Sequence, residues 1–577
     1  MKSSHSLVLL SLTSLIIVVT LFLINRFIFP KKKINPFFIS LIFSFLPTIS
    51  IFRPGSYESG DLWLHTTRFI IFYESISQRI FFPNWGGDLN NTFGYPILMF
   101  DPPLQYYIAS IFHFLGFSYL VSMKLFLALG FGLAGVFMYI WAKEKFGKLA
   151  GFVGAIFYTY APFHLVDTHF RVSIGEASMF AFIPSTLLTT EKLFLKPSLL
   201  YFVLNSLSLF FLIIASPTSI VPLTFIFFYI LFLFIKNNKI KNLFYLSISY
   251  LLGFLLSSFY LFPVLFEGKF THHAMFHKEV VYITISDLLF KSYMFGFLFQ
   301  GHFGELTYLI GFTQLIVISV LLFLIYKNKL KKENSFGLFL IISLIITCFL
   351  TTKYSEFIWN ILPIYKNLQF SFRLLILVSF LSSAIAVLVS TKINKKIVYI
   401  FCMFAIITTI LNWGNRKNIP VQTDKYIISG IPEATLNGEG GDPASPIWTI
   451  NDPRKVWEMK KPINHLEIIS GEAKSKEIDR KINKHVYEIN VTKNTYFKEN
   501  TLYFPNWQIY ANNKKLNINY QNKKYPGIMT FNLPKGKYNL TVFYEDTNVR
   551  KLSKILSFIS LITLSGLAIV GIIKNRL

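Results

Sequence analysis

The chain contains little cysteine and little charge. Of its 577 residues, 2 are cysteine and 15% are charged, whereas 53% are hydrophobic and 18% are aromatic. Cys348 and Cys402 both lie inside apolar runs, so they form no metal-binding spacing and indicate no disulfide framework. A soluble protein of this length could not bury so much apolar surface. The composition therefore excludes a soluble globular class and indicates a multi-pass membrane protein.

Nucleotide-binding motifs and acidic residues are also scarce. The sequence has no G-x-x-x-x-G-K-[ST] motif and no Rossmann glycine pattern. It has 29 Asp and Glu against 56 Lys and Arg, which gives a formal net charge of +27. Such an excess in a soluble protein would suggest nucleic acid, but most of it falls in short loops between apolar runs, as in the positive-inside pattern. We therefore predict no nucleotide site and no nucleic-acid partner.

Apolar runs of membrane-spanning length recur along the chain. The first is too long for a signal-peptide core and lacks a small-residue cleavage site, so we expect it to be retained. Because basic clusters between spans should be cytoplasmic, the pattern predicts about thirteen transmembrane helices, with the N-terminus outside and the C-terminus in the cytoplasm. The predicted spans are 7–29, 35–52, 120–141, 149–165, 176–195, 198–214, 219–235, 243–262, 306–325, 335–350, 372–391, 397–413 and 552–572.

This topology places the long polar segments on the outer face. Residues 1–413 form the predicted transmembrane domain, and the cytoplasmic loops are short and basic. Segment 104–117 is apolar but too short to span, so we expect an interfacial or re-entrant helix. The predicted outer loops are 53–103, 166–175, 263–305, 351–371 and 414–551.

Residues 414–551 change character and predict a second domain. Runs such as "HVYEINV" and "YNLTVFYED" alternate as strands do, and Asn512–Asn513 and Pro534–Gly536 predict tight turns. We expect a β-sandwich-like extracytoplasmic domain. Residues 552–577 then return the chain through the membrane to a cytoplasmic tail.

A polar stretch begins the first outer loop. In "SGDLWLHTTRF" (59–69), Asp61, His65 and Arg68 would share one face if the stretch is helical. An acid close to the bilayer surface can accept a proton from a substrate hydroxyl. Acids at a membrane boundary cost free energy unless they are paired or used.

Four stretches resemble the GT-C glycosyltransferase superfamily, most closely the YfhO-like and "6-pyruvoyl-tetrahydropterin synthase-related" membrane proteins. The first is "GDLWLHTTRF…FPNWGGDLNNTFGYPILMFDPPLQYY" in the first outer loop. "YTYAPFHLVDTHFRVSIGEASMFAFIP" (158–184), "LQFSFRLL" (368–375) and "YFPNWQIYANNKK…LPKGKYNLTVFYED" (503–546) are similar to later motifs of the family. The resemblance implies a mainly α membrane fold of GT-C type that transfers a sugar from a polyprenyl-phosphate carrier to an envelope lipid, polymer or protein on the outer face.

Within that expectation, the acids receive the first roles. Asp61 is the predicted catalytic base, His65 orients it or contacts the phosphate, and Asp167 is a second acid facing Asp61. Asp61 and Asp167 would also be the ligands of a divalent metal, Mg²⁺ or Mn²⁺, if the enzyme uses one; that question stays open. A packed interfacial histidine is the structural alternative for His65, and a snorkelling side chain is the alternative for Arg68.

The cations are predicted to face the leaving phosphate. Arg373 ranks first because it begins a helix in an aromatic setting, and Arg171 ranks second, with an Arg171–Glu176 structural pair as its alternative. Asp101, held extended before Pro102, is expected to point into the cavity. Lys269, His272 and His273 rank third, in a segment with His277 and Glu279 that we interpret as a mobile gating loop rather than a metal site.

Two other function classes stay open. A transporter or flippase of lipid-linked glycans would favour charges buried along a path through the helices. A non-catalytic scaffold that presents the outer domain predicts that the regions of Asp61 and Asp167 do not converge.

Overall fold

The chain folds into a helical bundle followed by a sheet-containing C-terminal part. A computed structural model describes residues 2–28, 34–273, 279–414, 417–431, 443–449 and 461–576. The α-helices are α1 (Lys2–Ile28), α2 (Pro36–Phe45), α3 (Leu62–Ser77), α4 (Ile97–Phe100), α5 (Leu104–Phe114), α6 (Tyr119–Phe146), α7 (Lys148–Thr159), α8 (Pro162–Val166), α9 (Ile174–Leu195), α10 (Leu199–Ala215), α11 (Ile220–Asn237), α12 (Ile240–Leu256), α13 (Ser258–Glu267), α14 (Ile285–Leu289), α15 (Phe312–Tyr326), α16 (Asn334–Leu350), α17 (Glu356–Ile361), α18 (Leu375–Ser390), α19 (Lys395–Ile407), α20 (Asp424–Ser429) and α21 (Asn548–Arg576).

Six helices in the described ranges are long and apolar enough to cross a membrane, or up to eight if each of two bent pairs is one span. The bent pairs are Lys148–Thr159 with Pro162–Arg171, at 50°, and Ile240–Leu256 with Ser258–Phe270, at 72°. Four of the other predicted spans are apolar helices of 10–17 residues, and α9 carries charged residues at both ends. Every predicted span coincides with a helix or a bent pair, but the number thirteen stays a prediction.

Helix α6 shows how local sequence sets the ends of a span. Ser118 caps its start by accepting a hydrogen bond from the Val121 N–H at 3.3 Å, and Gly147 ends it with a φ of 90°. Its 28 residues correspond to about 42 Å at 1.5 Å per residue, more than the roughly 30 Å hydrocarbon core. The length therefore suits a tilted transmembrane helix.

Helix α18 forms the centre of the bundle. All of its residues are buried, and it packs against α7, α15 and α16. Small residues permit close approach elsewhere in the bundle: a Cβ at Gly135 of α6 would lie 2.1 Å from the Ser44 hydroxyl of α2. Such approach is typical of helix packing in membranes.

The eight described strands form two sheets. The two-residue strands β1 (Ser56–Tyr57) and β2 (Asn418–Ile419) pair with each other. The larger sheet has the order β3-β4-β8-β5-β6, with β7 also paired to β4. Its strands are β3 (Leu466–Lys481), β4 (Lys484–Leu502), β5 (Trp507–Ala511), β6 (Lys514–Lys515), β7 (Ile528–Leu533) and β8 (Gly536–Tyr544).

The larger sheet forks at β4 rather than forming two separate stacked sheets. This strand has 19 residues, so its first half pairs with β8 and its second half pairs with β7. The predicted hairpin is confirmed: Ala511 pairs with Lys514, and both Asn512 and Asn513 have the positive φ of a tight hairpin turn. The sandwich-like expectation is thus corrected to one forked sheet in the described strands.

The forked sheet packs on the first outer loop. Trp85 and Trp507 meet edge to face at 5.3 Å, and the Leu502 N–H donates to the Phe93 carbonyl at 3.0 Å. At the start of α21, the buried Arg550 forms an ion pair with Glu267 of α13 at 3.2 Å. The first two contacts fix the sheet against the loop that carries Asp61, and the ion pair fixes α21 against α13.

Candidate functional site

Asp61 occupies the N-cap position of α3 without capping the helix. A capping aspartate normally accepts a hydrogen bond from a backbone N–H in the first turn, but the Asp61 side chain accepts none. The residue is half-buried, and its side chain forms no hydrogen bond or ion pair with another described residue. Its carboxylate is therefore available to a ligand.

Residues 53–103 and 166–175, the first and second of the loops predicted to lie on the outer face, meet at Asp61. The Gly60 N–H donates to the Phe170 carbonyl at 2.9 Å, and the Asp61 N–H donates to the Arg171 carbonyl at 3.0 Å. A Cβ at Gly60 would lie 2.5 Å from the Arg171 oxygen, so the approach requires glycine. The convergence is the opposite of what the scaffold hypothesis predicts.

Arg171 heads a cluster of two acids and two cations. It ends a short π-helical segment, Asp167–Arg171, and its Nη1 bonds to Asp167 and, at 2.7 Å, to Glu176. The other Glu176 oxygen forms an ion pair with Arg373 Nε at 3.1 Å and accepts a hydrogen bond from Thr218 at 3.0 Å. The Arg171–Glu176 pair foreseen from the sequence exists, and Arg373 joins it.

Asp167 and Arg373 differ in their access to solvent. Asp167 is fully buried, and its Oδ2 has no hydrogen-bond partner among the described residues. The Arg373 side chain is 21% exposed, at the start of α18 as expected, and lies over the Phe370 ring at 5.7 Å. Arg373 can therefore reach a ligand from its present position more readily than Asp167 can.

A second polar cluster contains His65 and Arg68 of α3, together with Asp101 and Tyr106. Asp101 accepts hydrogen bonds from Arg68 Nη1 at 2.9 Å and from the Tyr106 hydroxyl at 2.5 Å. His65 Nδ1 is 2.9 Å from the same hydroxyl. Arg68 is 7% exposed, so the snorkelling alternative is wrong. Tyr106 was not singled out from the sequence, although "PPLQYY" contains it.

This second cluster changes the expected roles of His65 and Asp101. Burial lowers the pKa of His65, so its imidazole is neutral near pH 7. The His65 ring lies within hydrogen-bond distance of the Tyr106 hydroxyl. His65 therefore stabilises the first loop, one helical turn from Asp61. The Asp101 carboxylate is buried in its bonds with Arg68 and Tyr106 rather than presented to solvent.

Lys269, His272 and His273 lie beside the first loop and the segment 443–449. The exposed Lys269 is over the Phe270 ring at 5.2 Å. His272 is buried, with its N–H donating to the Ser445 carbonyl at 3.1 Å, and the His273 ring is 6.0 Å from Phe100. His277, which belongs to the same sequence stretch, lies outside the described residues.

No group of three or more His, Cys, Asp or Glu in the described ranges is arranged to hold a metal ion. Asp167, one of the two ligands considered from the sequence, is joined to Arg171.

Comparison with known proteins identifies related chains. In sequence, the chain is 24% identical over 249 residues to an uncharacterized protein of Lactococcus lactis subsp. cremoris (strain MG1363), which is 41% of this chain and 40% of that protein. In structure, it is similar to two cryo-EM structures of the arabinofuranosyltransferase AftD from Mycobacteria, with TM-scores of 0.40 and 0.39 and identities of 14% and 13%. Those alignments cover 71% of this chain but only 29% and 28% of the mycobacterial protein.

A family model provides the broader match. The model described as "6-pyruvoyl-tetrahydropterin synthase related domain; membrane protein" matches residues 98–415. This range includes Asp167, Arg171, Glu176 and Arg373, and it is more than half of the chain. The chain therefore belongs to the family of membrane proteins that carry the 6-pyruvoyl-tetrahydropterin synthase related domain.

Proposed function

We propose that the protein is a membrane glycosyltransferase of GT-C type. It transfers a sugar from a polyprenyl-phosphate-linked donor to an acceptor in the cell envelope, on the extracytoplasmic face. The observation that carries this proposal is the unpaired Asp61 carboxylate beside Arg171. The backbone N–H of Asp61 donates to the Arg171 carbonyl at 3.0 Å, and the Arg171 and Arg373 side chains both pair with Glu176. A base and two cations thus adjoin one another where two outer loops meet.

The reaction needs one displacement at the anomeric carbon. An acceptor hydroxyl gives its proton to Asp61 while its oxygen forms a bond to the anomeric carbon, and the bond from that carbon to the phosphate oxygen breaks. The bonding electrons leave with the polyprenyl phosphate. A single displacement inverts the configuration, which is the outcome we propose.

Arg373 and Arg171 have different parts in stabilising the leaving phosphate. Guanidinium groups form strong, directional hydrogen bonds to phosphate oxygens. Arg373 is the better placed, because it is partly exposed and only one acid engages it among the described ion pairs. Arg171 is bonded to two carboxylates, so it positions Asp61 through its backbone carbonyl and supplies positive potential.

The distribution of buried charges supports transfer over transport. A flippase would place charged groups along a path through the helices. In the bundle, the Lys145–Glu191 pair lies near the C-terminal ends of α6 and α9, and the Lys392–Glu333 pair lies in the loops that flank α16 and α18. The Asp167–Arg171–Glu176 cluster lies at the opposite ends of those helices, where the outer loops meet.

Comparison of envelope glycans tests the proposal. We expect a deletion strain to lose one sugar substituent that the parent strain carries, and a plasmid-borne copy to restore it, whereas Asp61→Asn does not. Glu472→Gln removes an exposed carboxylate of the sheet and should restore the substituent fully. Identical glycans in parent and deletion strains would reject glycosyl transfer. Accumulation of a complete lipid-linked glycan inside the cell would favour the flippase.

A further inference from the structure

A polar cavity lies about one helix length from Asp61. Its volume is about 250 Å³, and it lies between the first outer loop and the forked sheet, partly open to its surroundings. The loop side contributes the polar side chains of Glu74, Gln78 and Asp88, and the sheet side contributes the titratable side chains of Arg480, Lys481 and His485. None of these six residues belongs to the site around Asp61.

The walls of the cavity are fixed to each other. The Ile482 N–H, in the turn between β3 and β4, donates to Gln78 Oε1 at 3.1 Å. Trp85, which also lines the cavity, packs against Trp507 at 5.3 Å and against Tyr544 at 5.2 Å. The cavity is therefore a built junction between two parts of the fold and not a gap between independent units.

The carboxylates of the cavity lack cationic partners. Glu74 accepts a hydrogen bond from Gln78 at 3.3 Å, and neither Glu74 nor Asp88 forms an ion pair with another described residue. Glu74 and Asp88 line the same cavity, and burial and then the Asp88 charge raise the pKa of Glu74. Thr501, 1% exposed, also lines the cavity, and its hydroxyl makes no hydrogen bond of ordinary geometry to another described residue.

The charges of the lining restrict the ligand. Glu74 and Asp88 repel an anion. Arg480, which is paired with Glu477 and Glu499, and Lys481, which is 4.0 Å from Asp479, oppose the entry of a cation more weakly. An apolar ligand would bury the Glu74 and Asp88 carboxylates without ionic partners, which costs free energy. A neutral group rich in hydroxyls satisfies both sets, because a hydroxyl donates to a carboxylate and accepts from a guanidinium or ammonium group.

We propose that this cavity binds one sugar unit of a neutral glycan. Because α3 begins directly after Asp61 and includes Glu74, the two sites are thirteen positions apart along one helix, or about 20 Å at 1.5 Å per residue. One glycan chain can therefore occupy the cavity while its growing end lies at Asp61. This assignment rests on the proposed function and names its acceptor class.

Binding to the full-length protein in nanodiscs tests the assignment without catalysis. The probes are fluorescent neutral hexose and N-acetylhexosamine tetrasaccharides, together with their sulfated analogues. We expect saturable binding of a neutral probe, weakened at least tenfold by Glu74→Gln and by Asp88→Asn. The matched control Glu472→Gln, at a carboxylate that is 60% exposed, should bind as the parent does.

Several outcomes would overturn the assignment. They are failure to bind any neutral probe, equal binding by the parent, Glu74→Gln and Asp88→Asn, or a preference for sulfated probes. Binding of Mn²⁺ or Ca²⁺ that both variants abolish would identify a metal site instead. Asp61→Asn separates this proposal from the catalytic one: we expect it to lose transfer and to keep probe binding. If Asp61→Asn transferred normally, the proposed mechanism would fail while the sugar site stood.

Discussion

At the scale of single residues, Arg171 and Arg373 both form an ion pair with Glu176 but differ in their total number of acidic partners. Arg171 bonds to Asp167 and Glu176, both buried, whereas Arg373 pairs with Glu176 alone. Removing one partner of a buried ion pair costs about 3–5 kcal/mol, because the other charge stays buried. We therefore expect Arg171→Ala to lower the thermal unfolding midpoint strongly. Arg373→Ala should lower it much less but reduce the transfer rate about 100-fold or more.

Unfolding midpoints and transfer rates of the two variants, measured on the same purified samples, check this contrast. Arg373→Lys is the informative third variant, because it keeps the charge and loses the planar fork. Partial recovery of transfer is expected. Equal loss of stability in both alanine variants, with normal transfer by Arg373→Ala, would assign Arg373 a structural role only.

Glu499 of β4 is a buried carboxylate that makes stability depend on pH. Burial alone would raise its pKa, but His485, at 2.8 Å, and Arg480 outweigh burial and hold the pKa at about 2. A depressed carboxyl pKa adds stability above the unfolded value and loses it as pH falls toward the folded value. The shift corresponds to about 3 kcal/mol at neutral pH, at about 1.4 kcal/mol per unit.

We therefore expect Glu499→Gln to destabilise the protein by about 3 kcal/mol at pH 7. The difference from the parent should shrink as the pH falls from about 4.5 to 2. Tryptophan fluorescence of the full chain during unfolding measures this difference, with the exposed Glu472→Gln as the control. A difference that is constant with pH would show that the carboxylate charge is not the cause.

Residue types in the sequence indicated candidates but not their partners. Asp61 and Arg373 could be placed at helix starts from the pattern alone, and the structure agrees. Asp101 could not be assigned correctly, because its partners Arg68 and Tyr106 come from two different helices. Side-chain pairing across helices depends on packing, which local sequence does not encode.

At the scale of elements, Gly60 holds the first outer loop against the second. An alanine Cβ at this position would lie 2.5 Å from the Arg171 carbonyl oxygen, which is part of the backbone and cannot rotate away. We expect Gly60→Ala to separate Asp61 from Arg171 and to lower the transfer rate about 100-fold, as a misplacement of about 1 Å can. The fold elsewhere should persist.

Gly566→Ala is the matched control for Gly60→Ala. Gly566 lies in α21, and a Cβ there would have no atom within 4 Å. Transfer measured with both variants and the parent, after confirming equal membrane insertion, gives the comparison. Full activity of Gly60→Ala would mean that the contact between the loops is not needed for the site.

Elements with a local signal were the ones that the sequence could define. The helix in segment 104–117 was expected to be short, and α5 has 11 residues, with exposed apolar side chains at its C-terminal end. The hairpin at Asn512–Asn513 follows from the αL preference of asparagine. The π-helical turn Asp167–Arg171 and the fork at β4 have no such signal, because both depend on pairing with distant residues.

At the scale of the whole molecule, the charge distribution predicts which side of the membrane each region occupies. Between residues 461 and 551 there are sixteen Lys and Arg and eight Asp and Glu, so this domain is basic although we place it outside. Long domains do not follow the positive-inside rule, which governs short loops. Orientation therefore rests on the short loops and needs its own test.

Single cysteines labelled with a membrane-impermeant maleimide provide that test. We expect Ser475→Cys, exposed on β3, to react in intact cells. Lys329→Cys, exposed in the loop between α15 and α16, should react only after permeabilisation. Labelling of the parent protein measures any reaction of its own cysteines, Cys348 and Cys402, which lie within α16 and α19. The reverse labelling pattern would place the site around Asp61 in the cytoplasm and contradict the proposed function.

The membrane class of the whole chain could be predicted from composition, whereas its number of spans could not be settled. Apolar content and the distribution of basic loops are properties of the whole chain, so they do not change when the end of one predicted helix is wrong by a few residues. The count depends on short helices such as α2 and α10 and on two bent pairs, which length and composition alone do not resolve. The docking of the sheet onto the first loop was not predicted, because the contact joins residues about 400 positions apart.

Sugar transfer by purified protein in nanodiscs tests the role of Asp61 most directly. The measurement is the release of polyprenyl phosphate and the appearance of labelled sugar on an envelope acceptor, for the parent, Asp61→Asn and Glu472→Gln. We predict that Asp61→Asn keeps the parent's unfolding midpoint and loses at least 100-fold in rate, while Glu472→Gln matches the parent in both. Transfer by Asp61→Asn at the parent's rate would contradict the assignment of Asp61 as the base.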